Sequence, residues 1–289
     1  MTRKNKNINY KKLALFVIFV LGFLVALYPI ISNLYYRQVH TSEVNDFISG
    51  KSQMSTEDKI KKIELARQYN NTLDPSRLSD PYTEKEKEGI AEYARMLEIE
   101  EKIGFVEIPQ IQQKLPVYAG SSDSVLERAA GHLEGTSLPV GGQSSHAVIT
   151  AHRGLPKAKL FRDLDKLKMG DIFYFHNLET VLAYQVDQIL TVEPWDFEPV
   201  LVVEGEDLMT LLTCTPYMIN SHRLLVRGHR IDYVPPVIED QLATTETNNI
   251  YQSYLPYIIG LLILVSLVAL YYLYSYRKTK KKVENFDKK

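Results

Sequence analysis

The stretch TLLTCTPYMINSHRLLVRG, residues 210–228, contains the single cysteine of this 289-residue chain. An apolar, β-prone run ends at Cys214, and a second such run begins at Arg223. Proline, asparagine and serine between the two runs are residues that turns favour. The runs are therefore predicted to be neighbouring strands joined by a loop of about eight residues. This pairing puts Cys214 and Arg223 together at one rim of a sheet, where opposed Cβ atoms lie about 4.5–5.5 Å apart.

A guanidinium beside a sulfur suits nucleophilic chemistry. The positive charge favours the thiolate, or binds the oxygen on which charge develops when the sulfur attacks a carbonyl. Because a free thiol is only a few per cent ionised at neutral pH, a nucleophilic cysteine also needs a histidine. Among the seven histidines, His152 ends the strand-like run HAVITAH and enters a loop, where catalytic groups tend to be displayed. The alternative for Cys214 is an inert buried side chain.

The other six histidines have simpler expected roles. His222 adjoins Arg223, so strand alternation points it to the opposite face. His132 and His146 lie in Gly/Ser-rich segments and are expected to form loop hydrogen bonds. The remaining three are expected at surfaces, His40 near a membrane and the strand residues His176 and His229 in solvent.

Composition excludes some classes of protein. The 34 Lys and Arg balance 35 Asp and Glu, which leaves no electrostatic footprint for nucleic acid. One cysteine cannot form an intrachain disulfide, so the hydrophobic core must stabilise the fold.

The pattern of apolar residues changes along the chain. Residues 41–100 are predicted to be helical, with one helix capped by Ser55 and a second opening at the capping box in 83–86. Two Asp-Pro pairs lie between them and require a loop, since proline disfavours helix in the residue before it. From residue 103 onward, seven or so short β-type runs predict a closed or nearly closed β-barrel.

Two uncharged apolar segments, 13–31 and 255–274, lie near the ends of the chain. Each has about the 20 residues that a helix needs to cross a bilayer. Basic residues flank both on their outer sides, so the positive-inside tendency predicts cytoplasmic termini and an external region between the spans. A cleaved secretory signal is the alternative for the first segment. A retained anchor is preferred because the run exceeds the usual length of about 7–15 residues and no small-x-small site follows.

Two stretches together resemble the signature sequences of the sortases, the cysteine transpeptidases of Gram-positive cell surfaces. They are VITAHRGLP at 148–156 and the opening stretch at 210–228. GHLEGTSLPVGG at 131–142 is similar to the family's segment ahead of the histidine strand, and the whole resemblance covers about residues 50–234. It implies three catalytic residues and two supporting residues of the T-L-x-T-C motif: His152, Cys214 and Arg223, with Thr210 and Thr213.

Within the family the sequence is similar to class C, the pilin-polymerising sortases. A second apolar span after the catalytic domain and an extra helical segment before the barrel both imply this class. In class C a lid loop carrying Asp-Pro-aromatic covers the active site, and Asp80, Pro81 and Tyr82 match that motif. The pair Asp74-Pro75 lacks the aromatic residue. Tyrosine stands here where other members carry tryptophan or phenylalanine.

The resemblance implies a reaction. Cys214 attacks the threonine carbonyl of an LPxTG-like sorting signal and forms a thioacyl enzyme, while His152 acts as acid and base and Arg223 binds the substrate backbone or the oxyanion. The implied acceptor is a lysine of another pilin subunit, which gives an isopeptide bond and builds pili. The implied partners are pilins and the membrane, without nucleic acid, metal or organic cofactor. The alternatives are a housekeeping-type sortase that uses peptidoglycan, a cysteine protease, and an anchored β-domain that only binds pilins.

The predicted architecture is mainly β, a sortase-type closed β-barrel with N-terminal helices and a lid loop, flanked by two transmembrane helices. The predicted segments are a cytoplasmic N-terminus (1–12), a transmembrane signal-anchor (13–34), an extracellular helical segment (35–100) with the lid loop (73–83), the catalytic barrel (101–235), a linker (236–254), a transmembrane helix (255–275) and a cytoplasmic basic tail (276–289).

Overall fold

The computed structural model describes residues 10–73, 78, 80, 82, 97–99, 101–234 and 260. By its internal contacts the chain divides into two units, Met1–Tyr233 and Val234–Lys289. The first unit contains the helices and strands described below. In the second unit, the description covers only Val234 and Gly260.

Eight strands form a closed barrel, which confirms the predicted mainly β, closed-barrel architecture. Their order around the barrel is β1-β2-β3-β4-β7-β8-β6-β5. The sequence pattern missed β3, since a strand of three residues is too short to show an alternation. The strands are β1 (Lys102–Ile108), β2 (Gln113–Tyr118), β3 (Ala130–His132), β4 (Ser145–Thr150), β5 (Ile172–His176), β6 (Val181–Val192), β7 (Asp207–Thr215) and β8 (His222–Ile231).

The two long helices precede the barrel strands in the chain. Ser55 caps α2 as predicted, because its hydroxyl accepts a hydrogen bond from the backbone N–H of Asp58 at 3.1 Å. The second predicted helix, opening at 83–86, lies outside the described residues. The helices are α1 (Tyr10–Gln53), α2 (Thr56–Asn70) and α3 (Asp123–Leu126), with 3-10 turns at Pro109–Ile111, Leu164–Lys166 and Glu198–Val200.

Helix α1 packs on the barrel through its C-terminal half. Val44 and Phe47 are buried, and the Phe47 ring meets the Phe105 ring of β1 edge to face at 6.2 Å between centroids. His40 is also buried, and its Nε2 lies 2.7 Å from the carbonyl oxygen of Arg128. The expectation that His40 is exposed at a surface is therefore wrong.

Within the described residues, no helix combines the length and the apolar character that crossing a membrane requires. The stretch predicted as a span at 13–34 belongs to α1. The span predicted at 255–275 lies outside the described residues, except for Gly260.

The barrel strands bury two separate apolar surfaces. Alternate residues of β4 and β7, such as Ile149 and Leu211, belong to the main core. Their neighbours Val148 and Leu212 belong to a smaller cluster with Leu225 of β8. Since successive side chains of a strand point to opposite faces, this smaller cluster lies on the other face of the sheet. The residues of the site described below lie next to this smaller cluster.

Candidate active site

Strand register brings the three predicted catalytic residues to one rim of the barrel. Cys214 on β7 is the direct register partner of Arg223 on antiparallel β8. Parallel pairing aligns Thr150, the last residue of β4, with Leu212 on β7. His152 follows two residues after Thr150, so it leaves β4 at the end of the sheet where β7 presents Cys214. By the period of two, Cys214 shares a face with Leu212 of the smaller apolar cluster.

Thr213 fixes the backbone that leads to His152. Ala151 continues the pairing beyond β4, since its N–H donates to the carbonyl oxygen of Leu212 at 3.2 Å. The buried Thr213 hydroxyl donates to the carbonyl oxygen of Ala151 at 2.7 Å. The residue before the cysteine thus holds the residue before the histidine, which gives this threonine of the motif a structural reason.

Thr210 supports the site from further away. Its hydroxyl lies 2.8 Å from Nε2 of His146, whose Nδ1 lies 2.8 Å from the carbonyl oxygen of Leu201. Because a carbonyl can only accept, Nδ1 carries the proton and Nε2 accepts from Thr210. Burial lowers the pKa of His146 to about 4. His146 is therefore a neutral structural residue that joins β4, β7 and the loop before β7.

Asp80 of the predicted lid binds Arg223. Nε of Arg223 donates to Oδ1 of Asp80 and Nη2 donates to Oδ2, both at 2.6 Å. Both side chains are buried, with 4% and 6% of their surface exposed. Nη1 donates to the carbonyl oxygens of Asn220 and His222, each at 3.0 Å. The fork of the guanidinium that could bind a substrate oxygen is thus occupied by the carboxylate.

Tyr82 fills the space between the histidine and the arginine. Its ring centroid lies 5.3 Å from that of His152 and 5.0 Å from Cζ of Arg223. The phenol donates to the carbonyl oxygen of Ala151 at 2.8 Å, so it accepts from the Thr150 hydroxyl at 2.7 Å. Its ring packs against the smaller apolar cluster. Pro81, the third predicted lid residue, lies outside the described residues.

The electrostatics favour an uncharged cysteine and histidine at rest. Burial raises the pKa of Cys214 to about 11, the Arg223 charge opposes this rise and the Asp80 charge adds to it. Burial lowers the pKa of His152, against the opposing effect of Asp123 and Glu127. With Asp80 in place, the pair is therefore thiol and imidazole at neutral pH.

The side chains of the other histidines have different partners. His132 is fully buried, and its Nε2 lies 2.8 Å from the carbonyl oxygen of Ser137. His222 is partly exposed, unlike the buried Arg223 beside it, and its ring pairs with Glu193. His229 is only partly exposed, and His176 is more buried than expected, because its ring stacks on Phe105 and its Nε2 binds Glu107. Among the residues described, no group of three or more His, Cys, Asp or Glu side chains is arranged to hold a metal ion.

Comparison with known proteins identifies the class that this barrel and rim define. A model of the Sortase domain matches residues 106–231. The chain is 60% identical to a sortase C of Streptococcus pneumoniae with a known structure, at a TM-score of 0.65, over 68% of this chain and 100% of that one. A pilus-related sortase C of group B Streptococcus is 56% identical, at a TM-score of 0.64, over 66% of this chain and 97% of that one. The chain belongs to the sortase family.

Its place within the family follows from the degree of similarity. A sortase A of Bacillus anthracis is 28% identical over 179 residues, which cover 62% of this chain and 80% of that protein. The identity to the two streptococcal sortases C is about twice as high and extends over nearly their whole length. The chain is therefore a class C sortase.

Proposed function

We propose that this class C sortase cleaves LPxTG-like sorting signals of pilin subunits and joins the released threonine carbonyl to a lysine of another pilin subunit. The observation that carries the proposal is the buried Asp80–Arg223 pair over the Cys214 rim. A rim closed by a carboxylate-bearing segment suits an enzyme that must stay unreactive until a protein substrate displaces that segment. The streptococcal relatives that are 56–60% identical are sortases C, one of them pilus-related.

In the first half of the proposed reaction, the sulfur of Cys214 attacks the threonine carbonyl while its proton passes to His152. Arg223 stabilises the oxyanion once Asp80 has left it. His152 then returns the proton to the glycine nitrogen as the carbon–nitrogen bond breaks, which leaves a thioester on Cys214.

In the second half, an uncharged lysine amine attacks the thioester and gives its proton to His152. The carbon–sulfur bond breaks, an isopeptide bond forms, and the sulfur regains its proton. One amide replaces another, so the sequence needs no oxidant, reductant or added energy source. The thioester conserves the acyl group until an amine arrives.

Membrane anchoring is part of the proposal. We infer that the apolar segments 13–34 and 255–275 anchor the enzyme with both termini in the cytoplasm and the barrel outside. The basic residues on the outer side of each segment support this orientation. Enzyme and membrane-tethered pilins then meet in two dimensions.

The test is a transfer assay with the full chain in detergent micelles or membranes. A sorting peptide is incubated with a lysine-containing pilin peptide, and products are identified by mass spectrometry. We expect an isopeptide-linked product from wild type and none from Cys214→Ala, and the same substitution should abolish pilus polymers in cells. Pilus polymers that survive Cys214→Ala would refute the role of this cysteine.

The same assay separates the alternatives. A free acid in place of the transfer product would indicate a cysteine protease. The housekeeping alternative draws on the weaker similarity to sortase A. Transfer to a peptidoglycan stem-peptide amine in preference to the pilin lysine would support it over the present proposal.

A further inference from the structure

Arg153, the residue after His152, is a buried cation with three different partners. Only 7% of its side chain is exposed. Nη2 lies 2.6 Å from Oδ2 of Asp165, Nη1 donates to the Thr215 hydroxyl at 2.8 Å, and Nε donates to the carbonyl oxygen of Arg162 at 3.2 Å. Taking a charge out of water is costly, and the cost can exceed the gain even when the charge is paired and hydrogen-bonded. The burial of Arg153 therefore needs a reason.

One of the three partners follows Cys214 in the chain, and the other two lie on a segment that hydrogen-bonds to the backbone of His152. Thr215 directly follows Cys214 and is the last residue of β7. Arg162 and Asp165 belong to the segment that folds back onto the His152 loop, where the N–H of Phe161 donates to the carbonyl oxygen of His152 at 3.1 Å. One guanidinium thus ties the backbone after the cysteine to the segment that holds the histidine.

We propose that Arg153 is a positioning residue of the transfer reaction, which braces the end of β7 against the His152 loop and so sets the approach of the Cys214 sulfur to the imidazole. The inference rests on the proposed function and adds a residue to its site. Arg153 contacts neither the sulfur nor the imidazole directly. It acts through Thr215 on one side and through its own backbone link to His152 on the other.

The shape of arginine matters for this brace. A planar guanidinium directs its N–H groups in fixed directions toward three partners, whereas a lysine ammonium on a flexible stem cannot reproduce that fork. Arg153→Lys is therefore expected to keep the charge but lose the alignment. Because an error of about 1 Å in a reacting pair costs on the order of 100-fold in rate, loss of the brace is expected to lower kcat by about 10–100-fold.

The test measures kcat and KM for transfer with the full chain carrying Arg153→Met. The matched control is Arg227→Met, which also removes an arginine bound through Nε and Nη2 to an aspartate, Asp187, at 3.0 and 3.1 Å. Both variants should lower the melting temperature. Only Arg153→Met should lower kcat by the expected 10–100-fold, while its KM stays close to wild type because substrate contacts remain.

A second pair of variants covers the case in which Arg153→Met fails to fold. Thr215→Val removes the hydroxyl that Arg153 binds, and Thr215→Ser retains it, so the serine variant should have the higher kcat. Equal kcat values for the valine and serine variants, or an Arg153→Met kcat equal to that of Arg227→Met, would overturn the inference. Absence of transfer by wild type would instead overturn the proposed function and this inference with it.

Discussion

Replacing Asp80 with alanine should make Cys214 much more reactive toward small thiol reagents. The substitution leaves the Arg223 charge without its carboxylate in the closed site, where both side chains are almost fully buried. When the lid segment moves away, water solvates the arginine instead. The variant therefore destabilises the closed state far more than the open one.

The size of the effect follows from the burial. Removing one partner of a buried ion pair costs about 3–5 kcal/mol. Since about 1.4 kcal/mol is a factor of ten, the ratio of open to closed lid should rise by roughly 100- to 4,000-fold. A second contribution acts in the same direction, because the closed site raises the pKa of Cys214 to about 11. At pH 8 this leaves about one thiol in 1,000 ionised, compared with roughly one in four at an unperturbed pKa of about 8.5. The alkylation rate cannot exceed the rate of the fully open enzyme, so its increase is expected to be smaller than the change in the open-to-closed ratio. We expect the alkylation rate to rise by at least about 10-fold.

The assay is alkylation of the full chain by a neutral maleimide at pH 8, followed by intact mass. Cys214 is the only cysteine, so the mass increase reports on this residue alone. Asp187→Ala is the matched control, because it also removes a carboxylate that holds an arginine through Nε and Nη2. That control should leave the rate at the wild-type value. An Asp80→Ala rate equal to that of wild type would refute the reasoning that this pair keeps the lid closed.

Three further predictions concern the groups around the lid. Tyr82→Phe loses the hydrogen bonds to Thr150 and Ala151. Because the ring still packs in the site, this variant should accelerate alkylation of Cys214 less than Asp80→Ala does. A rate above that of Asp80→Ala would contradict this ranking. Thr213→Val should lower the free energy of unfolding in urea by about 0.5–1.5 kcal/mol, because the Ala151 carbonyl loses one of its two donors and keeps the Tyr82 phenol. An unchanged value would show that this hydrogen bond contributes little. The pKa of His146 is about 4 in the folded state and about 6.5 in the unfolded state. The unfolded chain therefore binds the proton first as the pH falls, so the free energy of unfolding is highest above pH 6.5 and decreases toward pH 4, by up to about 1.4 kcal/mol per pH unit. Urea unfolding at pH 7, 6 and 5 should give a flatter dependence for His146→Gln, and an identical slope would count against this assignment.

The sequence predicted the parts of the fold that depend on residues close together in the chain. The apolar, β-prone runs on either side of residues 215–221, with turn residues between them, predicted neighbouring strands, and the structure makes Cys214 the register partner of Arg223. The Ser55 cap was predictable for the same reason, because a capping side chain bonds within its own first turn. The short strand Ala130–His132 was missed because three residues carry no readable period.

The lid was found only through family resemblance. Its Asp-Pro pairs by themselves predict an ordinary loop, since a proline reports on the residue before it and not on distant partners. The ion pair joins Asp80 to Arg223 across 143 positions of the chain. No periodicity in the sequence records a contact of that separation.

The sequence by itself predicted the barrel class, a candidate nucleophilic cysteine beside its arginine, and a histidine at a strand end. Only the tertiary structure decided that the site is closed, that its thiol and imidazole are neutral at rest, and that Arg153 links the two reacting segments. Strand pairing follows from local patterns of side chains. Burial and charge pairing instead depend on which distant segments fold against the rim, and these set the protonation of Cys214 and His152.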